Sequence, residues 1–232
     1  MEELSVPKFE NIIKDFLAEN ASILEDLLAE KYKEKFIVRS IGNILNYPER
    51  DKIEAYCSPK CNERIIFKAV MDKSHVLESD NYVAMTASYC FEEAFYALIK
   101  AEDLKATFKV SLFSLSSVPE TINIKEVLDK NEDLSVFVRI VIDNTVKPNE
   151  IYELIDKYFQ EYEFGEKNSI VSTVWMIDQM DYEKCATEIK NSYSVNKVYL
   201  DQFNLLGEGN LQRNAQGFNV DKMAFGLNFE EE

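Results

Sequence analysis

The alternation of apolar and polar residues is clearest in the first half of the chain. Residues 36–41 are rich in β-branched and aromatic side chains, which predicts a first strand. Residues 52–57 and 64–71 each alternate, and Pro59 lies in the turn-forming segment between them, which predicts a hairpin. The buried face of this hairpin should consist of alternate residues, namely Ile53, Ala55, Cys57, Ile65, Phe67, Ala69 and Met71.

Two helices are predicted on either side of this hairpin. The first 30 residues or so carry two apolar stripes at helical spacing that meet between Asn20 and Ser22, which fits one kinked helix or two short ones. A long helix should begin near Ser79 or Asp80, either of which can accept a backbone N–H of its first turn, and its apolar surface is too wide to face solvent. We therefore expect this helix to cover one face of the sheet. The wide surface comprises Val83, Ala87, Cys90, Phe91, Ala94, Phe95, Leu98 and Ile99.

The second half alternates between strand and helix patterns. Residues 134–142 are apolar on both faces, which is typical of a central strand that is covered on two sides. Residues 150–163 show a clear helical period, with Pro148 near the first turn and Gly165 after the end. The remaining predictions are strands at 107–115, 170–177 and 197–203, a short helix at 124–128, and a helix that is capped by Asp181.

These elements predict an α+β fold. An N-terminal helix and an antiparallel three-stranded sheet with a long covering helix precede a mixed β-α-β-α-β unit, which should contain at least one right-handed crossover. We expect domains at 1–131 and at 132–232, the latter with an irregular tail, although one continuous domain also fits. A chain of 232 residues buries roughly 70% or more of its unfolded surface, so its core needs no disulfides.

The charge balance restricts the kinds of partner. The chain has 42 acidic and 26 basic residues and a net charge of −16. Because a phosphate-binding surface needs clustered Lys and Arg, we expect neither nucleic acid nor an anionic membrane as a partner. A basic protein is the favoured partner, and the competing interpretation is a plain solvated surface.

The four cysteines are Cys57, Cys61, Cys90 and Cys185, and we expect them to be reduced. The N-terminus lacks the basic flank and apolar run of a secretion signal, and no run approaches the ~18 apolar residues of a membrane span. These features predict a cytoplasmic protein, or a cell-surface protein if a leader has been removed. Cys57, Cys61 and His75 make an incomplete zinc set unless a carboxylate joins them, so we expect no metal.

No motif for catalysis or cofactor binding is recognisable. His75 is the only histidine and lies in a polar turn, where it is expected to be solvated rather than to act as a base. Gly207 and Gly209 lack the third glycine of a dinucleotide loop, so we predict a turn there. Trp175 alternates with apolar residues and is expected in the core. We predict no catalytic residues and no cofactor, which favours a non-enzymatic protein and leaves an enzyme as the alternative.

Short motifs in residues 31–98 resemble a known family. They are Lys31-Tyr32-Lys33-Glu34-Lys35-Phe36-Ile37-Val38, Ile41-Gly42, Tyr56-Cys57-Ser58-Pro59, Phe67-Lys68-Ala69 and Ser79-Asp80-Asn81-Tyr82. This stretch is similar to a family of small uncharacterised proteins of Gram-positive bacteria, some of them lipoproteins and some encoded near secreted toxins. The chain has no lipid-attachment cysteine near its N-terminus, and the resemblance implies no catalytic residues.

Acidic residues mark the outer faces of two predicted helices, the N-terminal one and the one at 150–163. The candidate partner-binding residues are Glu10, Asp15, Glu19, Glu150, Glu153, Asp156 and Glu161. We predict a non-enzymatic acidic protein-binding module, with an immunity or antitoxin-like protein that covers a basic toxin as one form of it. The alternative is a small-molecule-binding protein or hydrolase-like enzyme that uses carboxylates in a cleft between the two sheet units.

Overall fold

The structure, a computed structural model, shows the predicted α+β fold. It consists of two compact units, Met1–Tyr82 and Val83–Glu232. The residues that it describes are 6–42, 52–113, 123–131, 134–162, 164, 168–214 and 217–219.

The first unit is a helix and an antiparallel sheet of four strands in the order β1-β2-β3-β4. The predicted hairpin is confirmed, because β2 and β3 pair with Ala55 opposite Ala69 and Cys57 opposite Phe67. All seven residues of its predicted inner face are buried, with Ile65 the most exposed at 6%. The elements are α1 (Val6–Tyr32), β1 (Phe36–Gly42), β2 (Lys52–Pro59), β3 (Phe67–Asp72) and β4 (Leu77–Asp80).

Helix α1 runs without interruption through the predicted break. Asn20 is 4% exposed, and its side-chain Nδ2 donates to the carbonyl of Phe16 at 2.7 Å, four residues back along the helix. Leu24 and Leu28 are fully buried. Glu25 is half-buried, and its carboxylate accepts the backbone N–H of Val38 in β1 at 2.9 Å. Glu25 therefore ties α1 to the edge of the sheet.

Strand β4 was not predicted, because Ser79 and Asp80 also fit the start of the long helix. That helix begins at Tyr82, and Oδ1 of Asp80 accepts its backbone N–H at 3.1 Å. The Asp80 side chain is 1% exposed and also accepts the Tyr32 hydroxyl at 2.6 Å and the Lys31 ammonium at 2.8 Å. One buried carboxylate thus joins β4, Tyr82 and the end of α1, all of which lie in the first unit.

The second unit contains a mixed five-stranded sheet in the order β5-β6-β7-β8-β9. Strands β6 and β7 are parallel and the other pairs are antiparallel. Helix α4 connects the two parallel strands. The elements are α2 (Tyr82–Ala101), β5 (Ala106–Phe113), α3 (Ile124–Lys130), β6 (Ser135–Asp143), α4 (Pro148–Glu161), β7 (Ser169–Ile177), α5 (Gln179–Lys190), α6 (Lys197–Leu200), a 3-10 turn (Asp201–Phe203), β8 (Leu205–Asn214) and β9 (Gly217–Asn219).

Apolar side chains pack on both faces of this sheet. One core cluster joins α2 and α4 to alternate residues of β5, β6 and β7, including Phe108, Val138 and Val174. The other joins Val141 and Trp175 to residues of α5, α6 and the 3-10 turn. The prediction that β6 is a central strand is confirmed. Trp175 is 4% exposed and belongs to this core, as expected.

The long helix α2 packs differently from the prediction. Its buried side chains, among them Phe91 and Phe95, belong to the core of the second unit together with β5 and β6. The sequence could show that this helix must be buried on one side, but not which sheet would supply the partner side chains. Strand β5 also pairs with β6, although the two strands lie on opposite sides of the predicted boundary at residue 131. The domains expected at 1–131 and 132–232, as independently folding parts, stay a prediction.

Three local predictions in the second unit are wrong. Residues 197–203 form a helical segment instead of a strand, because the Asn196 side chain accepts the backbone N–H of Tyr199 at 2.9 Å and caps a helical turn. Helix α5 is capped by Asp178 and not by Asp181. Gly207 and Gly209 lie within β8 opposite Met176 and Val174, so they do not form a turn. Most of the tail that was expected to be irregular, residues 220–232, lies outside the described residues, as does Gly165.

Candidate functional site

Four carboxylates form one stripe along α1. Asp15, Glu19, Asp26 and Glu30 are all exposed. At 100° per residue their positions span about 60° of the helix circumference, and at 1.5 Å per residue the stripe is about 22 Å long. The buried Leu24 lies about 180° from Asp15 on the same helix, so the stripe faces away from the core of the first unit. We call these four residues the acidic stripe.

No cation neutralises the acidic stripe within the described part of the chain. Its carboxylates take part in no described ion pair, and Lys31, which follows Glu30, bonds to Asp80 instead. Asp15 with Glu19 and Asp26 with Glu30 are like-charge pairs at i and i+4, and each such pair opposes helix formation by about 0.2–0.5 kcal/mol. The stability of α1 therefore does not explain the stripe.

The acidic residues of α4 are more closely engaged. Oε2 of Glu150 accepts the backbone N–H of Lys147 at 2.6 Å and so helps to cap the helix. Asp156 accepts a hydrogen bond from Gln160 at 3.2 Å, whereas Glu153 and Glu161 are exposed. Burial, and then the charge of Glu161, raise the pKa of Tyr162 at the end of this helix. Part of this acidic face thus serves the fold itself.

A shallow depression of about 220 Å³ lies beside α4. Leu104 and Leu154 form its apolar part, and the Lys157 ammonium on its rim forms an ion pair with Glu102. Because the side chains of Lys157 and Glu102 are each about half exposed, this ion pair contributes little to stability. The other lining residues are Glu150 and Glu153.

The structure assigns the predicted partner-binding residues to different surroundings. Asp15 and Glu19 belong to the acidic stripe, whereas Glu10 lies in the first part of α1, whose side chains are outside the described structure. Glu153 and Glu161 are exposed on α4, while Glu150 and Asp156 hold local hydrogen bonds. Sequence reasoning missed Glu102 and Lys157, because only the packing of α2 beside α4 brings them together.

The thiols and the histidine have ordinary environments. Cys57 and Cys185 are buried, Cys90 is half-buried and Cys61 is exposed. Burial raises the pKa of Cys57 and of Cys185 to about 12. His75 is exposed in the turn before β4, as expected.

Neither a metal cluster nor a membrane span occurs in the described part of the chain. No three Cys, His, Asp or Glu side chains come together there in a way that could hold a metal ion. Among the described helices, none combines the length and the apolar run that a membrane span requires.

Comparison with known proteins shows a shared fold. No family model and no curated protein matches the sequence. The crystal structure of a DUF5037 family protein from Ruminococcus gnavus ATCC 29149 is similar with a TM-score of 0.60 and 15% identity, over 87% of this chain and 94% of that one. At this identity the similarity shows the fold alone. An uncharacterised family of a Gram-positive bacterium agrees with the resemblance seen at residues 31–98.

A second solved structure is much less similar. The organic hydroperoxide resistance protein OsmC from Legionella pneumophila has a TM-score of 0.26 and 16% identity, over 58% of this chain and 93% of that one. A similarity at this level supports no argument about fold or function.

Proposed function

We propose that the protein is a non-enzymatic binding module that uses the acidic stripe of α1 to bind a basic protein. The observation that carries this proposal is an exposed row of four carboxylates on one helix face, with no counter-charge among the described residues. The like-charge pairs within it are unfavourable for the isolated helix, and a basic partner would relieve them. The chain as a whole has a net charge of −16, which adds long-range attraction for a cationic surface.

The kind of partner follows from the geometry of the stripe. A row about 22 Å long and one helix face wide fits a row of Lys and Arg side chains on an elongated element, such as a helix or a strand. The resemblance at residues 31–98, with relatives encoded near secreted toxins, would make a basic toxin one such partner. In that case the protein would be an immunity or antitoxin-like protein.

Charge reversal tests this proposal. Asp15→Lys, Glu19→Lys and Asp26→Lys in one variant change the net charge from −16 to −10, since each reversal adds two charges. We expect proteins captured from the native lysate by the wild type to be lost from this variant. The rate constant for association should also fall steeply with salt, because exposed charges are screened over about 10 Å at 0.1 M.

A matched control separates the stripe from net charge. Asp129, Glu183 and Asp201 are exposed residues of the second unit, and reversing these three to lysine gives the same net charge of −10. This control variant should capture the same partners as the wild type. Equal loss from both variants would mean that net charge alone attracts the captured proteins, and equal retention by both would rule out the stripe as the binding surface.

A further inference from the structure

Arg139 occupies an unusual place in the second unit. It lies in the middle of β6, in register with Lys109 of β5 and Thr173 of β7. Its neighbours along the strand, Val138 and Ile140, point to the opposite face and are at most 1% exposed. Arg139 itself is half-buried on the face that also carries Val141. A guanidinium is thus held partly out of water at the centre of a sheet.

The charge of Arg139 has no counter-charge among the described residues. No described carboxylate lies within 4.0 Å of it, and its one hydrogen bond is from Nη1 to Oγ of Ser111 at 3.4 Å. A guanidinium has five N–H donors in a planar fork, so most of its donor capacity is unused.

The charged residues around Arg139 are matched with other partners. Lys109, beside it in the sheet, is 3.5 Å from the buried carboxylate of Glu92. Glu208, which lies opposite Trp175 in β8, bonds to Lys197 at 2.9 Å. Neither of these neighbours therefore neutralises the charge of Arg139, in a chain with 42 acidic residues.

We propose that Arg139 and Ser111 bind an oxyanion, namely the carboxylate or phosphate group of a small molecule. The guanidinium fork matches two oxygens of such a group, and charge-assisted hydrogen bonds of this kind are about twice as strong as neutral ones. Oγ of Ser111 accepts from Arg139 and keeps its own hydrogen to donate to the anion. Partial burial strengthens the interaction relative to bulk water. This site is in the second unit and does not depend on the acidic stripe.

Titration with inorganic phosphate and with acetate tests the proposal. In ¹H–¹⁵N NMR spectra of the full chain, with chloride holding the ionic strength constant, we expect saturable shifts at the amides of Ser111, Arg139 and Thr173. Arg139→Gln should weaken phosphate binding at least about tenfold, because it removes charge-assisted hydrogen bonds. Arg139→Lys keeps the charge without the fork and should give an intermediate affinity.

Arg39 of the first unit provides a matched control. It also bonds to a serine hydroxyl, Oγ of Ser58 at 2.6 Å, but its guanidinium is 3.5 Å from the carboxylate of Glu63. Arg39→Gln should leave phosphate binding unchanged. Shifts that persist in Arg139→Gln, or the absence of saturable shifts in the wild type, would overturn the proposal.

Chemical modification tests the site without any substitution. Phenylglyoxal reacts with accessible guanidinium groups, and bound phosphate should slow its reaction with Arg139 several-fold while leaving the rate at Arg39 unchanged. Equal rates with and without phosphate at Arg139 would also overturn the proposal.

Discussion

Breaking the buried ion pair between Glu92 and Lys109 should strongly destabilise the second unit. Their side chains are 7% and 9% exposed, with 3.5 Å between Oε2 of Glu92 and Nζ of Lys109. Oε1 of Glu92 also accepts the backbone N–H of Val110 at 3.1 Å, and Nζ of Lys109 lies 3.4 Å from the carbonyl of Lys190. The pair therefore connects α2, the edge strand β5 and the end of α5.

Removing one partner deprives the other buried charge of its counter-charge, which costs about 3–5 kcal/mol. Because the two atoms are 3.5 Å apart and Lys109 keeps a contact with a carbonyl, we expect the low end. Glu92→Gln and Lys109→Met should each lower the free energy of unfolding by about 3 kcal/mol. The double variant has no unpaired charge, so it should lose less than either single variant rather than the sum of both.

Urea denaturation measures these changes, and the fluorescence of Trp175 reports the unfolding of the second unit. Trp175 is the only tryptophan of the chain and is 4% exposed in the core of the second unit. Glu93→Gln, at the neighbouring exposed position on α2, is the control and should change stability by less than about 0.5 kcal/mol. Additive losses in the double variant, or a Glu92→Gln loss no larger than that of the control, would refute the reasoning.

Two further predictions concern the first unit and the thiols. Asp80→Ala should lower the free energy of unfolding of the first unit by about 3 kcal/mol, because it removes a buried carboxylate that accepts from three donors. Urea unfolding followed by circular dichroism measures this change. A loss as small as that of an exposed variant such as Glu63→Ala would contradict the prediction. In the folded protein Cys61 should react with a thiol reagent first, and Cys57 and Cys185 only after unfolding. Burial raises the pKa of Cys57 and of Cys185 to about 12, so the stability gained by keeping both thiols protonated is complete below pH 9 and is lost as the pH rises towards 12. At pH 8 the exposed Cys61 alone should react fast. Prompt reaction of all four thiols at that pH would contradict the prediction.

The sequence by itself determined the elements whose signal is local. The hairpin of β2 and β3 follows from strict alternation, since a one-residue shift would turn every apolar side chain of a strand to the other face. Tyr182, Cys185, Ala186 and Ile189 of α5 recur in the sequence at helical spacing, and all four are buried in the structure. The acidic character of α1 and α4 was also readable from the sequence, because charge and helical period are both properties of neighbouring residues.

The tertiary structure decided which elements pack together. The wide apolar surface of α2 would suit either sheet, and only the folded chain shows that Phe91 and Phe95 pack with β5 and β6. The weak alternation of residues 197–203 suggested a strand. The folded chain forms a helical segment there, which buries Leu200 and Phe203 and leaves Val198 82% exposed.

The roles of individual charges were likewise decided by tertiary contacts. In the sequence Glu25 is one of many acidic residues of α1, and only the folded chain shows that its carboxylate accepts the backbone N–H of Val38 in β1. Arg139 was one basic residue in a strand, and its isolation became visible only when Lys109 and Glu208 were found bonded to other residues. Hydrophobic period is repeated along an element and so survives in the sequence, whereas the partner of a charge depends on a single contact between distant segments.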